Sequence, residues 1–72
     1  MQIEYKVGDI ILLDNGYVTE VEIEQIAVKA KCMKIGSTWY EAEDIAPKIK
    51  QIIGRATYKR GLFGTKRTVA YI

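Results

Sequence analysis

Histidine is absent from this 72-residue sequence, and cysteine, proline, tryptophan and phenylalanine each occur only once. The lack of histidine removes the commonest general base and the commonest zinc ligand. The lone cysteine, Cys32, has no partner for an internal disulfide, and we expect it to be a small buried strand residue. There is no phosphate-binding glycine loop and no nucleophile beside a base. We therefore expect a protein that is not an enzyme, with no metal site and no cofactor.

Membrane and export signals are lacking too. The longest unbroken apolar run, Ile10 to Leu13, is far shorter than a bilayer-spanning helix, and no basic region followed by an apolar stretch opens the chain. We expect a cytoplasmic protein that does not contact membranes. A chain of 72 residues is enough for one small core, so residues 1–72 are predicted to form a single domain.

Acidic residues are missing from the last 28 positions, although nine of them occur among the first 44. Four basic residues accompany those nine and seven basic residues follow them, so residues 1–44 carry a formal charge of −5 and residues 45–72 carry +7. We call these two parts the acidic portion and the basic portion. Such an asymmetry indicates an anionic partner for the basic portion, or attraction between the two portions.

Alternating apolar and polar residues predict β-strands through most of the acidic portion. Asp14-Asn15-Gly16 predicts a tight turn between two strands, because Asn and Gly tolerate a positive φ. The apolar residues change phase near Glu24-Gln25, which predicts a bulge or a turn there. We expect the next strand to continue to Cys32, with Lys29 and Lys31 facing outward, where they can pair with the glutamates of the preceding strand.

A helical pattern opens the basic portion. Four isoleucines share the spacing of one helix face: Ile45, Ile49, Ile52 and Ile53. Asp44 is a good N-cap residue before them, and Gly54 stands where a C-cap glycine is expected. The sequence therefore predicts a short α-helix over about residues 45–53.

The rest of the basic portion is predicted to be a β-hairpin. Its strands are Arg55–Arg60 and Lys66–Ile72, which flank the glycine-bounded loop Gly61–Thr65. Several short strands cut by glycine turns are typical of a small barrel or open roll. The chain is therefore predicted to be mostly β and antiparallel, with one short helix and a C-terminal hairpin.

Two stretches resemble a known family. Val7–Leu13, followed by a glycine turn and a second strand, resembles the opening of SH3-like barrels of the KOW type, in which a V-G-D-x-V strand leads to a glycine turn. Ser37–Pro47 is similar to the closing strand of small uncharacterised SH3-like proteins that are common in bacteriophages and mobile elements of Bacteroidales. The resemblance implies an SH3-like barrel and a phage or mobile-element origin. It implies no site residue, and the segment from Arg55 onward lies outside it.

Trp39 has two interpretations. A barrel this small needs one large side chain to fill it, so we expect Trp39 to be the central core aromatic. In the alternative, Trp39 and Tyr40 line a peptide-binding groove together with Tyr5 and Tyr17.

The hairpin holds the residues that could bind nucleic acid. They combine cations with one interleaved aromatic side chain: Arg55, Tyr58, Lys59, Arg60, Lys66 and Arg67. Cations meet phosphates and aromatic faces stack on bases in single-stranded nucleic-acid grooves. These side chains could equally face water or the acidic portion of the same chain.

A protein partner is the second hypothesis, in which the chain acts as an inhibitor or adaptor of a host protein. Leu62 and Phe63 lie in the glycine-flanked loop, where exposed apolar residues can anchor another protein, and a free strand edge could do the same. Self-association is the third, because a −5 surface and a +7 surface on one chain can attract each other in a homo-oligomer.

Overall fold

The computed structural model describes residues 4–72. Six strands form one antiparallel sheet in the order β4-β3-β2-β1-β5-β6. Their bounds are β1 Asp9–Asp14, β2 Val18–Ala27, β3 Cys32–Ile35, β4 Thr38–Glu41, β5 Ile49–Gly61 and β6 Gly64–Tyr71. Helix α1, Ala42–Ile45, and a single 3₁₀ turn, Ala46–Lys48, connect β4 to β5. The mostly β, antiparallel prediction is confirmed. The sheet itself is open rather than closed into a barrel, since β4 and β6 are its two edges.

One face of the sheet carries the hydrophobic core. Its buried members come from β1, β2, β3 and α1: Ile11, Leu13, Ile23, Met33, Ile35, Ala42 and Ile45. Helix α1 is too short to be stable alone, and it is held because its two apolar residues pack into this cluster. Among the partly buried residues around the cluster, the last one along the chain is Ile52. This cluster therefore ends before the second half of β5 begins.

The turn and the phase change predicted in the acidic portion are both present. Gly16 has a φ of +102° in the turn between β1 and β2, and its N–H donates to the Asp14 carboxylate at 3.1 Å. The pairing of β2 with β3 shifts register between Ile23 and Gln25, where the bulge was predicted. This shift lets Ile23 and Ile26 reach the same core although their spacing is odd.

The strand predicted to continue to Cys32 is interrupted. Ala27 ends β2, and Val28–Lys31 form a turn in which Lys31 adopts a φ of +55° and donates its N–H to Val28. Cys32 begins β3 and is half-buried instead of buried. Lys29 and Lys31 thus lie in or beside a turn, and neither pairs with the strand glutamates.

The predicted helix over residues 45–53 is wrong in extent. α1 begins at Ala42 with Glu41 as its N-cap, so Asp44 lies inside the helix. From Ile49 onward the chain is strand β5. Gly54, predicted to cap the helix, is buried within that strand, where a Cβ would lie 2.7 Å from the carbonyl oxygen of Ala70. Glycine is needed there because β6 passes so close to β5.

The misleading isoleucine spacing comes from two irregularities in β5. The register between β1 and β5 shifts twice, and the extra β5 residues are Lys50 and Ile53. An extra residue in one strand breaks the period of two. As a result Ile49 and Ile52 both reach the core from positions three apart, which is also the spacing of a helix face.

Trp39 is not the core aromatic. It is 49% exposed on β4, opposite Lys34 of β3, whereas its neighbour Tyr40 packs against the core. Successive residues of a strand point to opposite faces, so one strand cannot place both aromatic rings in one groove. The core is filled by isoleucines, a leucine and a methionine instead.

The C-terminal hairpin is confirmed, with longer strands and a shorter loop than predicted. β5 and β6 pair without a register break from Gly54 opposite Tyr71 to Gly61 opposite Gly64. No helix within residues 4–72 has the length and apolar character needed to cross a membrane.

Candidate nucleic-acid interface

The hairpin extends beyond the rest of the sheet. β5 pairs with β1 only as far as Arg55, opposite Asp9, and beyond that point β5 and β6 pair with each other. We call the hairpin segment Ala56–Val69 the arm, and residues 4–55 the body. The molecule measures 39 × 28 × 19 Å along its principal axes, as expected for a sheet with one long projecting ribbon.

Two apolar residues form the tip of the arm. Leu62 and Phe63 connect Gly61 to Gly64 and are 95% and 101% exposed. Neither residue has a positive φ. The residue of this turn with a positive φ is Gly64, whose φ is +124°. A short turn followed by a glycine with positive φ matches the twist of the two strands. The local sequence therefore builds a tight turn that presents both side chains to solvent.

The two faces of the arm carry different side chains. Tyr58 lies opposite Arg67, and Arg60 opposite Thr65, on one face. Lys59 lies opposite Lys66 on the other face, next to the pair of Thr57 and Thr68. The six residues that were candidates for nucleic-acid binding are therefore divided between two faces.

Glu22 of β2 fastens the base of the arm to the body. Its carboxylate accepts a hydrogen bond from the Tyr58 hydroxyl and two from Arg67, at 2.7 Å from Nη2 and 3.0 Å from Nε. The Glu22 side chain is only 15% exposed, so this contact is partly sheltered from water. We call these three residues the anchor. It holds one face of the arm over the outer face of β2.

The anchor shifts two pKa values. The hydrogen bond to the Glu22 carboxylate raises the pKa of Tyr58, because the bond stabilises the protonated phenol beside a negative charge. The same carboxylate raises the pKa of Arg67 by accepting its hydrogen bonds. Arg67 therefore keeps its charge, and that charge is matched by Glu22.

Arg55 is also paired within the chain. Its guanidinium donates to the Asp9 carboxylate at 3.3 and 3.4 Å, and the backbone N–H of Lys6 donates to the same carboxylate at 2.9 Å. Asp9 is buried at the start of β1, so the pair satisfies a carboxylate that has lost its water. Both ion pairs of the described residues join the acidic portion to the basic portion, as attraction between the two portions predicts.

Three cations of the arm have no such partner. Within residues 4–72, Lys59, Arg60 and Lys66 form no ion pair, and all three are exposed. Lys59 and Lys66 are direct cross-strand neighbours, an arrangement that is destabilising unless an anion lies between them. We call these three residues, with Leu62 and Phe63, the tip cluster. It combines unneutralised positive charge with an aromatic ring in solvent.

Sequence reasoning found the cations but not their division. Arg55, Tyr58 and Arg67 form hydrogen bonds to carboxylates of the acidic portion. Near the tip, Lys59 and Lys66 lie on one face of the arm and Arg60 lies on the other. Glu22 and Asp9 are the carboxylates that decide that division. Their pairing depends on the order of strands in the sheet, and no local pattern of the sequence reports that order.

In the part of the chain that the structure describes, no three His, Cys, Asp or Glu side chains lie together in a group that could hold a metal ion. The comparisons with known proteins add no relative: no family model, no curated protein and no solved structure matches the chain. The resemblance to SH3-like proteins of phages and mobile elements therefore stays a prediction.

Proposed function

We propose that the protein binds nucleic acid through the tip cluster of its arm. The observation that supports this proposal is the pair of Lys59 and Lys66, which face each other across the arm with no acidic neighbour on either strand. Two ammonium groups held this close repel each other, and a phosphate between them removes the repulsion. An anionic ligand is thus favoured at the point where the chain places like charges together.

Phe63 indicates the kind of nucleic acid. Its ring is fully exposed at the tip, beside cations that can hold a phosphate backbone. Aromatic rings of this kind stack on bases that are free of a duplex, and the stacking does not depend on base identity. We therefore infer a preference for single-stranded over double-stranded nucleic acid, with little preference for sequence.

The proposal is tested by fluorescence anisotropy with a labelled single strand and the matching duplex over a series of salt concentrations. Three phosphate contacts predict a slope of log affinity against log salt of about −2 for the single strand. Lys59→Gln with Lys66→Gln should reduce the magnitude of the slope by about 1.4, because two of the three contacts are lost. Phe63→Ala should weaken binding by about 1 to 3 kcal/mol with little change in slope.

Lys48→Gln with Lys50→Gln is the matched control. These two lysines are exposed and belong to the basic portion, but they lie outside the arm. The control should bind the single strand nearly as well as the wild type. Equal losses in the two double variants would make the binding a property of net charge rather than of the tip. Absence of binding at low salt would end the proposal.

The exposure of Leu62 favours a protein partner as the second candidate. A side chain that is 95% exposed beside an equally exposed phenylalanine fits an apolar pocket on another protein. This candidate predicts that Leu62→Ala and Phe63→Ala weaken binding alike and that salt has little effect. Nucleic-acid stacking predicts that only Phe63→Ala does so.

A further inference from the structure

The outer edge of β6 is a long strand edge that no other strand within residues 4–72 covers. β6 has eight residues, no proline and no register break, and in the described part of the chain it pairs only with β5. The opposite edge, β4, has four residues and leads directly into α1. Natural proteins usually shorten, bend or cover an edge strand, because its free backbone groups pair readily with another strand. Among the described residues, β6 is neither short, bent nor covered, and the only charges on it are those of Lys66 and Arg67, of which Arg67 is paired with Glu22.

The direction of each backbone amide in β6 follows from two hydrogen bonds. The N–H of Ile72 donates to Ile53 of β5 at 2.8 Å, and the N–H of Ala56 points away from β6 to Gly8 at 2.7 Å. Amide directions alternate along an antiparallel strand. The even-numbered residues of β6 therefore bond to β5, and the odd-numbered ones face outward: Thr65, Arg67, Val69 and Tyr71.

We propose that β6 pairs antiparallel with β6 of a second copy of this chain, about a two-fold axis that passes beside Thr68. Arg67 of each copy then lies opposite Val69 of the other, and Thr65 lies opposite Tyr71. Because the two-fold axis repeats each pair, there are four pairs in all, and they include every outward-facing residue of both strands. Each pair exchanges two backbone hydrogen bonds. The result is one continuous sheet that runs through both copies.

Charge favours this register over its neighbours. Lys66 lies opposite Ala70, and Arg67 lies opposite a valine while its own charge is matched by Glu22. A shift by one pair in one direction would place Arg67 opposite Arg67, which is destabilising. A shift in the other direction would leave Thr65 without a partner. The edge is thus complementary to itself in one register, which is why we assign it to a second copy.

The dimer has a consequence for the tip cluster. Residues that lie opposite each other in a sheet share a face, so Lys66 of both copies would lie on the same face. The two Lys66 residues are four positions apart along the strands, about 14 Å at the usual rise per residue. A nucleic acid bound as proposed above would then meet the Lys59 and Lys66 pairs of both copies on one face. This consequence depends on the proposed function, but the dimer does not.

Cross-linking tests the register directly. In a Cys32→Ser background, Thr68→Cys places two thiols in a non-hydrogen-bonded pair with Cα atoms about 4.5 Å apart, within the range of a disulfide. We expect a disulfide-linked dimer under oxidised glutathione. Thr65→Cys is the matched control on the same exposed strand, because its two copies would lie about 20 Å apart. Cross-linking of both variants alike, or of neither, would overturn the proposal.

Sedimentation equilibrium of the untagged chain gives an independent measurement. The pairing of two single strands is a small interface, so we expect a weak dimer that forms as concentration rises. Ala70→Lys should weaken it, because the new lysine faces Lys66 of the other copy, and adding Lys66→Glu should restore it. Circular dichroism checks that each variant is folded. Self-association that responds to salt but not to Ala70→Lys would assign it to the acidic and basic portions instead. Such a result would count against the β6 edge.

Discussion

The body and the arm belong to one sheet but are stabilised in different ways. Every residue of the core cluster lies in the body, and the arm contributes one buried apolar side chain, Ala56. The arm is held by its own ladder of strand pairs and by the anchor at its base. A ribbon without a core contributes little to folding, so its residues are free to serve binding. The molecule thus separates the residues that fold it from those available to a partner.

Removing one apolar side chain from each region tests the difference between body and arm most directly. Ile23→Ala, in the center of the body core, should lower the free energy of unfolding by about 2 to 5 kcal/mol. Leu62→Ala, at the tip, should change it by less than about 0.5 kcal/mol. Urea unfolding followed by circular dichroism measures both. A large loss for Leu62→Ala would mean that the tip packs on the body.

Glycines give a second contrast. Gly54→Ala should cost about 1 to 3 kcal/mol, because the new Cβ would meet the Ala70 carbonyl oxygen at 2.7 Å and the Tyr71 Cα at 3.2 Å. Gly61→Ala is the control in the same strand, where a Cβ would lie 3.6 Å from the Gly64 oxygen. We expect that change to be neutral or slightly stabilising in the same urea experiment. Equal losses of unfolding free energy in the two variants would show that the close approach of β6 is not the cause.

The anchor should matter to the arm and not to the body. Glu22→Gln removes the charge that pairs with Arg67, so the amides of the arm should exchange with solvent several-fold faster. The amides of Thr57 and Thr68 report on this, and hydrogen exchange followed by NMR measures them. The amide of Ile23 should be unaffected. Glu43→Gln, an exposed carboxylate in α1, is the control and should leave the arm unchanged. Faster exchange throughout the chain would show that the anchor supports the whole fold.

The smallest effect concerns alkaline pH. The pKa of Tyr58 is raised by its hydrogen bond to Glu22, so the protonated phenol favours the folded arm. That contribution is complete below the ordinary tyrosine pKa and is lost as the pH rises through the raised value. Tyrosine-selective NMR should find a lower pKa for Tyr58 in Glu22→Gln than in the wild type. The same pKa in both proteins would contradict the role of the carboxylate.

Local features of the fold were readable from the sequence. The turn at Asn15-Gly16, the bulge near Glu24-Gln25 and the C-terminal hairpin are each specified by residues within a few positions of one another. Backbone conformation at such sites depends on neighbouring residues, so local chemistry is sufficient to predict it. The mostly β character follows from the same alternation of residues.

Features that depend on distant strands were not readable. The helix predicted over residues 45–53 is strand β5 from Ile49 onward, since only the pairing with β1 shows that Lys50 and Ile53 are bulged. Trp39 is predicted to be the core aromatic but is half exposed, because aliphatic side chains fill the core. In the candidate site, the sequence indicated the six polar residues. It did not indicate which of them pair with Glu22 and Asp9 and which stay unpaired. Each of these outcomes is set by tertiary pairing rather than by local preference.

The unbroken pairing of the outer part of β5 has a mechanical consequence. Because β5 enters the arm straight from its ladder with β1, the arm continues the body without a linker. The backbone of the tip is therefore held in a defined position relative to the body, whether or not a ligand is bound. Little backbone freedom remains to be lost on association, and the affinity of a small contact area benefits accordingly. Motion of a ligand bound at the tip would likewise be transmitted to the body along β5 and β6.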